Sequence, residues 1–459
     1  MRRALLLLSV PVLGALSSLP LGTLPAHAAT LSVGPGGYAT LGAAIAAANP
    51  GDVLRIKPGT YREAVVLSKP LTLVGEGLPT VDGNGAEDVI TVLAPDCRIS
   101  GLRVIGSGAQ MLSENSAVKV LADRSVIEDL HIETPLYGLY FANSDHHHVR
   151  RNRIKGLDTL PPNDRGDGIR LHESRFTRID ENVIEGTRDG IYFNGAGENE
   201  IRGNTISKVR YGLHYMYSDD NRFSDNRFTE TEAGSALMFS RRITLSRNVF
   251  TGNRGYRAYG LLLKDCEDST VTHNLISGNR TGVFLDGAVG NQFEANAITS
   301  NDVGIELRAS SEGNRFTQNT FAGNTEPLSM PTGTSPNDWD GNYWSDYRGY
   351  DLDGDGRGDT PYKAGNVFGY LTENLPPARL FLLSPAVQAI EFAERTLPVL
   401  EAPHIEEAAP AMKPVKAQAL PVLPPEPPNP AFTPVASLLL LLGLIPLVVS
   451  RKAFRHDSH

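Results

Sequence analysis

GIYFNGAGENEIRGNTISKVRY (190–211) runs straight into GLHYMYSDDNRFSDNRFTETEA (212–233). The two stretches share one layout: an opening Gly, apolar residues one and three places later, and an Asn 14 places on, at Asn204 and Asn226. Outward from this pair the Gly recurs at Gly168, Gly190, Gly212, Gly234, Gly260, Gly282 and Gly304, in steps of 22, 22, 22, 26, 22 and 22. The Asn recurs at Asn182, Asn204, Asn226, Asn248, Asn274, Asn296 and Asn319, in steps of 22, 22, 22, 26, 22 and 23. Both columns absorb the same insertion around Asn253–Tyr259, which chance similarity would not produce. The chain therefore carries a repeat of about 22 residues.

A helical repeat would need apolar residues at 3.6 spacing over ten or more positions, whereas these units offer short alternating runs broken by Gly, Asn and Asp. Ile191/Phe193, Leu213/Tyr215, Leu261/Leu263, Val283/Leu285 and Ile305/Leu307 read as strands with one face inward. A lone coil buries too little apolar surface to offset its backbone entropy, so the coils must stack and pair their strands above and below. The expected fold is all-β, a parallel β-helix solenoid of ten or so coils. Gly212 should lie over Gly234, with Leu213 and Leu237 inside and the Asn column forming a ladder at a turn.

The series extends back to Gly138 and Asn152 with a step of 30 in both columns, so a loop containing Pro161 and Pro162 protrudes near Asp158–Arg165. Tyr38–Ala48 reads as a short amphipathic helix that caps the open N-terminal end. After Asn324 the repeats stop. The expected division is an export signal at 1–28, the capped β-helix at 29–325, a Trp/Asp-rich segment with the helix-like Pro376–Arg395 at 326–395, and a Pro-rich linker at 396–430. A membrane segment at 431–450 and a cytoplasmic tail at 451–459 complete it. The signal rests on Arg2 and Arg3, the apolar run Leu5–Leu16 and the small-residue site Ala26-His27-Ala28. The apolar run Ala431–Val449, followed by Arg451, Lys452 and Arg455, reads as a span with its basic end in the cytoplasm, though Pro434 and Pro446 leave a cleaved sorting signal or an intramembrane hairpin open.

Removing the two signal arginines takes the formal charge from −9 to −11, which argues against nucleic acid, whose binding rests on cationic side chains meeting phosphates. The two cysteines, Cys97 and Cys266, stand seven coils apart and form no C-x-x-C pair, so both are read as buried thiols rather than a disulfide or a redox pair.

Strand alternation turns the second and fourth residues after each Gly outward. The second column reads Arg170, Tyr192, His214, Ala236, Leu262, Phe284, Glu306; the fourth reads His172, Asn194, Met216, Met238, Lys264, Asp286, Arg308. His214, Met216 and Met238 stand out, because two thioethers one coil apart and an imidazole on the same strand suit Cu(I) better than hard cations. An exposed Met- and Tyr-rich face is also what a flexible protein-docking patch looks like, and the two coincide if the docked partner brings the metal. Asp351, Asp353, Asp355, Gly356 and Asp359 match positions 1, 3, 5, 6 and 9 of a calcium loop, although Tyr362 replaces the expected Glu at position 12. His146-His147-His148 sits at a coil turn and reads as a solvated turn, with adventitious metal binding as the alternative.

Two function classes remain. Many long β-helices bind or cleave polysaccharides, and Arg153-Ile-Lys155 and Asp219-Asp220 echo fragments of such sites, but the accompanying motifs are missing and no paired carboxylates cluster on the outward columns. The second class is a non-catalytic scaffold. Here Tyr211-Gly-Leu-His-Tyr-Met-Tyr-Ser218, Gly234-Ser-Ala-Leu-Met-Phe-Ser240, Tyr259-Gly-Leu-Leu-Leu-Lys264, Trp339-Asp-Gly-Asn-Tyr-Trp-Ser-Asp-Tyr347 and Gly349-Tyr-Asp-Leu-Asp-Gly-Asp-Gly356 resemble the NosD family, periplasmic proteins of nitrous oxide reductase maturation. The resemblance covers about 30–395 and implies a right-handed β-helix. It also implies partners: an ABC transporter made of a membrane subunit and an ATPase, docked through the helix-like segment, a copper chaperone lipoprotein, and nitrous oxide reductase. The implied task is assembly of the reductase's copper–sulfide centre. The chain lacks a phosphate-binding Gly-x-x-x-x-Gly-Lys-Ser/Thr loop, so ATP work belongs to a partner. Its own C-terminal span departs from what the resemblance implies.

Overall fold

The computed structural model describes residues 28–365 except 86, 256, 257, 309 and 331–335, then 375, 377, 384, 385, 389, 390 and 393, and finally 404–414. All but the last residue of the expected signal at 1–28, the membrane segment and tail, and all but scattered positions of 376–395 lie outside the described residues. Among the described residues no helix is long and apolar enough to cross a membrane.

The chain winds into a parallel β-solenoid of about 14 turns, which among the described residues builds three stacked parallel sheets of 14, 12 and 13 strands. The first sheet runs from Thr30–Val33 to Asp338–Asp340, the second from Val65–Leu67 to Glu326–Ser329, and the third from Thr60–Arg62 to Tyr343–Trp344. The stack has more coils than the Gly and Asn columns mark, because the coils before residue 138 keep the strand register without those residues.

Register repeats coil by coil: Ile191 pairs with Leu213, Leu213 with Ser235, and Tyr215 with Leu237. Leu213 and Leu237 are fully buried, in one continuous core that also holds Phe193, Phe223, Phe228 and Phe250. The Gly column exists because backbone meets backbone there. A Cβ on Gly212 would stand 2.3 Å from the carbonyl oxygen of Gly234 and 2.5 Å from the Phe228 ring, contacts no side chain tolerates.

The buried Asn column is a hydrogen-bond ladder. The Asn204 backbone N–H and Nδ2 both donate to Asn226 Oδ1, at 3.0 and 2.9 Å, and Asn204 Nδ2 also donates to the Ile179 carbonyl at 2.8 Å. Each side chain thus satisfies donors that a coil turn would otherwise leave orphaned. Two further ladders run beside it, through Asn199, Asn221, Asn291 and Asn314, and through Asn253, Asn279 and Asn301.

At the N-terminal end the helix Leu41–Ala47, capped by Thr40, starts later than expected and lays Leu41, Ala44 and Ile45 against the first strands. Of the expected linker at 396–430, only 404–414 is described, and it carries a strand. Ile405–Glu407 returns to pair antiparallel with Tyr362–Ala364, and Glu407 takes the place of the next ladder Asn: its Oε1 accepts from the Asn342 N–H at 2.7 Å, and its Oε2 from Trp344 Nε1 at 2.6 Å.

Candidate metal centre

The strand Tyr211–Met216 lies in the second sheet between Asp189–Asn194 and Ala233–Arg241. Met216 pairs in register with Met238, so the thioethers spring from adjacent strands about 4.8 Å apart. His214 stands one pleat from Met216 and pairs with Tyr192 on one side and Ala236 on the other. His214, Met216 and Met238 are half-buried, while Tyr215 and Leu237 between them point into the core. The structure thus gathers the three soft donors on one outward patch.

It also supplies what the sequence reading missed. His214 Nδ1 bonds Asp189 Oδ2 at 2.8 Å, and the edges of Tyr192 and Tyr211 flank the ring at 4.7 and 5.1 Å. With Nδ1 engaged, Nε2 has no hydrogen-bond partner among the described residues. A carboxylate behind one imidazole nitrogen fixes the ring's orientation and raises the basicity of the other, the usual support of a metal-binding histidine.

Asp189 is fully buried and takes two further bonds, from Arg210 Nε at 2.9 Å and Nη2 at 2.6 Å. Burial pushes its carboxyl up, but the hydrogen bonds and charges of His214 and Arg210 outweigh that and hold it below the ordinary carboxylate value. One coil earlier the equally buried Asp167 holds Arg170 and Arg188, each at 2.9 Å, and burial together with the neighbouring Asp189 charge pushes it up. Arg170 lies over Tyr192 at 4.3 Å, and Arg210 over Tyr211 at 4.5 Å. The only sequence signal for this pair was the repeated Asp-Gly, Asp167-Gly168 and Asp189-Gly190, beside an Arg series at 170, 188 and 210.

The other sequence candidates fall as follows. Oxygens of Asp351, Asp353 and Asp359 lie within 4.8 Å of one another, while Asp355 caps the backbone N–H of Arg357 at 2.7 Å instead of joining them. The His146–His148 turn is exposed at His146 and half-buried at His148, whose Nε2 bonds Asp180 at 2.9 Å. His147 is buried, with Nδ1 accepting from the Ser125 N–H at 3.2 Å, and burial lowers its imidazole to about 4. Asp219 and Asp220 are taken by Arg241 and Arg242 rather than aimed together at a bond. Cys97 and Cys266 are free and buried, and burial pushes the Cys266 thiol up to about 12, leaving it no thiolate to offer a metal.

The chain is similar to known proteins. A family model described as "Periplasmic copper-binding protein (NosD)" matches residues 154–349, a range that contains His214, Met216 and Met238. A "Probable ABC transporter binding protein NosD" of Pseudomonas aeruginosa is 37% identical over 413 residues, covering 83% of this chain and 95% of that protein. The protein of the same name from Stutzerimonas stutzeri is 35% identical over 382 residues, covering 78% and 86%. Among solved structures, the pre-mature bacteriophage phi29 gene product 12 shares the fold at a TM-score of 0.54 with 11% identity, over 63% of this chain and 48% of that one. With two relatives matched at this identity over 95% and 86% of their own length, the chain belongs to the NosD family, described as periplasmic copper-binding proteins.

Proposed function

We propose that the chain is a non-catalytic extracytoplasmic scaffold that assists assembly of the copper–sulfide centre of nitrous oxide reductase. It works with an ABC transporter, whose subunits supply the ATP hydrolysis, and with a copper chaperone lipoprotein that delivers Cu(I) to the second-sheet patch. A C-terminal span would hold it at the membrane. The observation that carries the reading is the in-register pair Met216/Met238 beside His214, whose Nδ1 is locked by Asp189. The donor set fits the ion: thioethers and an imidazole prefer Cu(I) to hard cations, and their half-burial keeps them reachable by a docked protein. His214 Nε2, Met216 Sδ and Met238 Sδ would hold copper in passage. Asp351, Asp353 and Asp359 are assigned, separately, to a calcium ion.

The test is made in a host that produces the reductase. With Met216→Leu/Met238→Leu in this chain the reductase should be exported in normal amount but with its catalytic copper centre depleted. Normal copper content in that reductase would overturn the proposal.

A further inference from the structure

We propose that a pocket beside the thioether pair receives an arginine side chain of a partner protein. It is a cavity of about 420 Å³ lined by Tyr217, Asp219, Phe239, Arg241, Asp265 and Glu267. Tyr217 and Phe239 directly follow Met216 and Met238 in sequence. Their rings stack face to face at 5.2 Å with planes 14° apart, and they are 59% and 39% exposed.

Local structure does not ask for aromatics here. The same turn position is Asn143, Glu173, Gly195, Tyr217, Phe239, Asp265 and Gly287 in successive coils, with φ between 48° and 64° throughout. Left-handed backbone favours Gly, Asn and Asp, and an exposed aromatic there gains no core burial. Two bulky rings on consecutive coils therefore serve a contact outside the chain.

The charge of the pocket names the occupant. Arg241 is engaged by Asp219, at 3.1 Å from Nε, whereas the Asp265 and Glu267 carboxylates, both exposed, have no cationic partner among the described residues. The molecule shows twice what fills such a constellation. Asp167 with Tyr192 holds Arg170, and Asp189 with Tyr211 holds Arg210, ring below and carboxylate beside the guanidinium. At Tyr217/Phe239 the rings and the acids are present, and among the described residues no cation lies over either ring. A planar guanidinium stacks on a ring while its fork engages carboxylates; an ammonium has no flat face to stack. The pocket acids also do not converge as a cation cluster, unlike Asp351, Asp353 and Asp359. An arginine seated here brings its protein against Met216 and Met238, yet the inference stands whether or not those thioethers take copper.

The test titrates the full-length protein with acetyl-Gly-Arg-Gly-amide, followed by ligand-observed NMR, against the same peptide with citrulline or lysine in place of arginine. Citrulline keeps the planar group and loses the charge; lysine keeps the charge and loses the plane. The arginine peptide should bind saturably, and both others at least about tenfold more weakly. Asp265→Asn/Glu267→Gln and Tyr217→Ala should each weaken arginine binding while melting like the parent, because all three side chains are exposed. Met216→Leu/Met238→Leu should leave arginine binding unchanged, which separates this pocket from the metal proposal. Equal binding of arginine and citrulline peptides, or unchanged binding by both variants, would overturn the inference. Saturable binding of a neutral oligosaccharide at Tyr217 in place of the arginine peptide would overturn it in favour of a carbohydrate site.

Discussion

Replacing Asp189 with Asn keeps the shape of the side chain and removes the charge behind His214. The buried carboxylate accepts three hydrogen bonds, from Arg210 Nε and Nη2 and from His214 Nδ1, at 2.9, 2.6 and 2.8 Å. Hydrogen bonds to charged groups contribute about 1.5–3 kcal/mol each, and the amide oxygen retains part of them, so Asp189→Asn should cost about 3 kcal/mol of stability. The loss at the metal is separate: removing the carboxylate that orients a ligating histidine typically lowers metal affinity about 10- to 100-fold. Cu(I) affinity is read by competition with a chromophoric Cu(I) chelator on purified full-length protein. The matched control is Asp167→Asn, one coil away and equally buried, which releases Arg170 and Arg188 but does not touch His214. It should cost less stability, because burial and the Asp189 charge already disfavour the Asp167 carboxylate, and leave Cu(I) affinity within about twofold of the parent. If both variants lose copper equally, the effect is general distortion and the role assigned to Asp189 is wrong. If Asp189→Asn binds copper like the parent, His214 is a structural residue.

The pH dependence of stability should carry the signature of His147. Its folded value of about 4 lies below the ordinary histidine value, so the unfolded chain binds more protons between about pH 6.5 and 4, and the fold loses up to about 3 kcal/mol as pH falls through that window. His147→Asn, which puts a ladder residue into a column already holding Asn199 and Asn221, should flatten that acid slope in denaturant titrations at pH 7 and 5. At the C-terminal end, Glu407→Ala leaves the buried Asn342 N–H and Trp344 Nε1 without acceptors, a cost of about 2–4 kcal/mol, and should red-shift Trp344 emission as the Ile405–Glu407 strand releases. The Asp351–Asp359 loop should take up Ca²⁺ in calorimetric titration, and Asp351→Asn/Asp359→Asn should abolish the heat; no heat in the parent protein removes calcium from the account.

Much of the fold was legible because the solenoid repeats its constraints. Each Gly marks a spot where the next coil's backbone leaves no room for a Cβ, and each ladder Asn marks a turn whose donors need a fixed acceptor, so both leave periodic columns. The coils before Gly138 carry neither residue regularly and stayed undercounted. Met216, Met238 and His214 could be found because strand alternation places them by arithmetic from Gly212 and Gly234. Asp189 could not, since Asp before Gly reads as a turn, and its burial depends on Arg210 and His214 closing over it from the next coil. Glu407 was harder still. It lies in a Pro-rich stretch that looks like linker, 65 residues beyond the Asn342 it completes, and no local pattern announces that contact.

The central claim is that Cu(I) is held by side chains drawn from two coils. X-ray absorption spectroscopy of the Cu(I)-loaded full-length protein reads the donors directly. The account predicts a first shell of sulfur with one imidazole nitrogen, in which the sulfur disappears and affinity falls in Met216→Leu/Met238→Leu, while the fold is unchanged because half-buried Met→Leu conserves volume. A sulfur shell and stoichiometry that survive in the double variant would place the copper elsewhere and contradict the account.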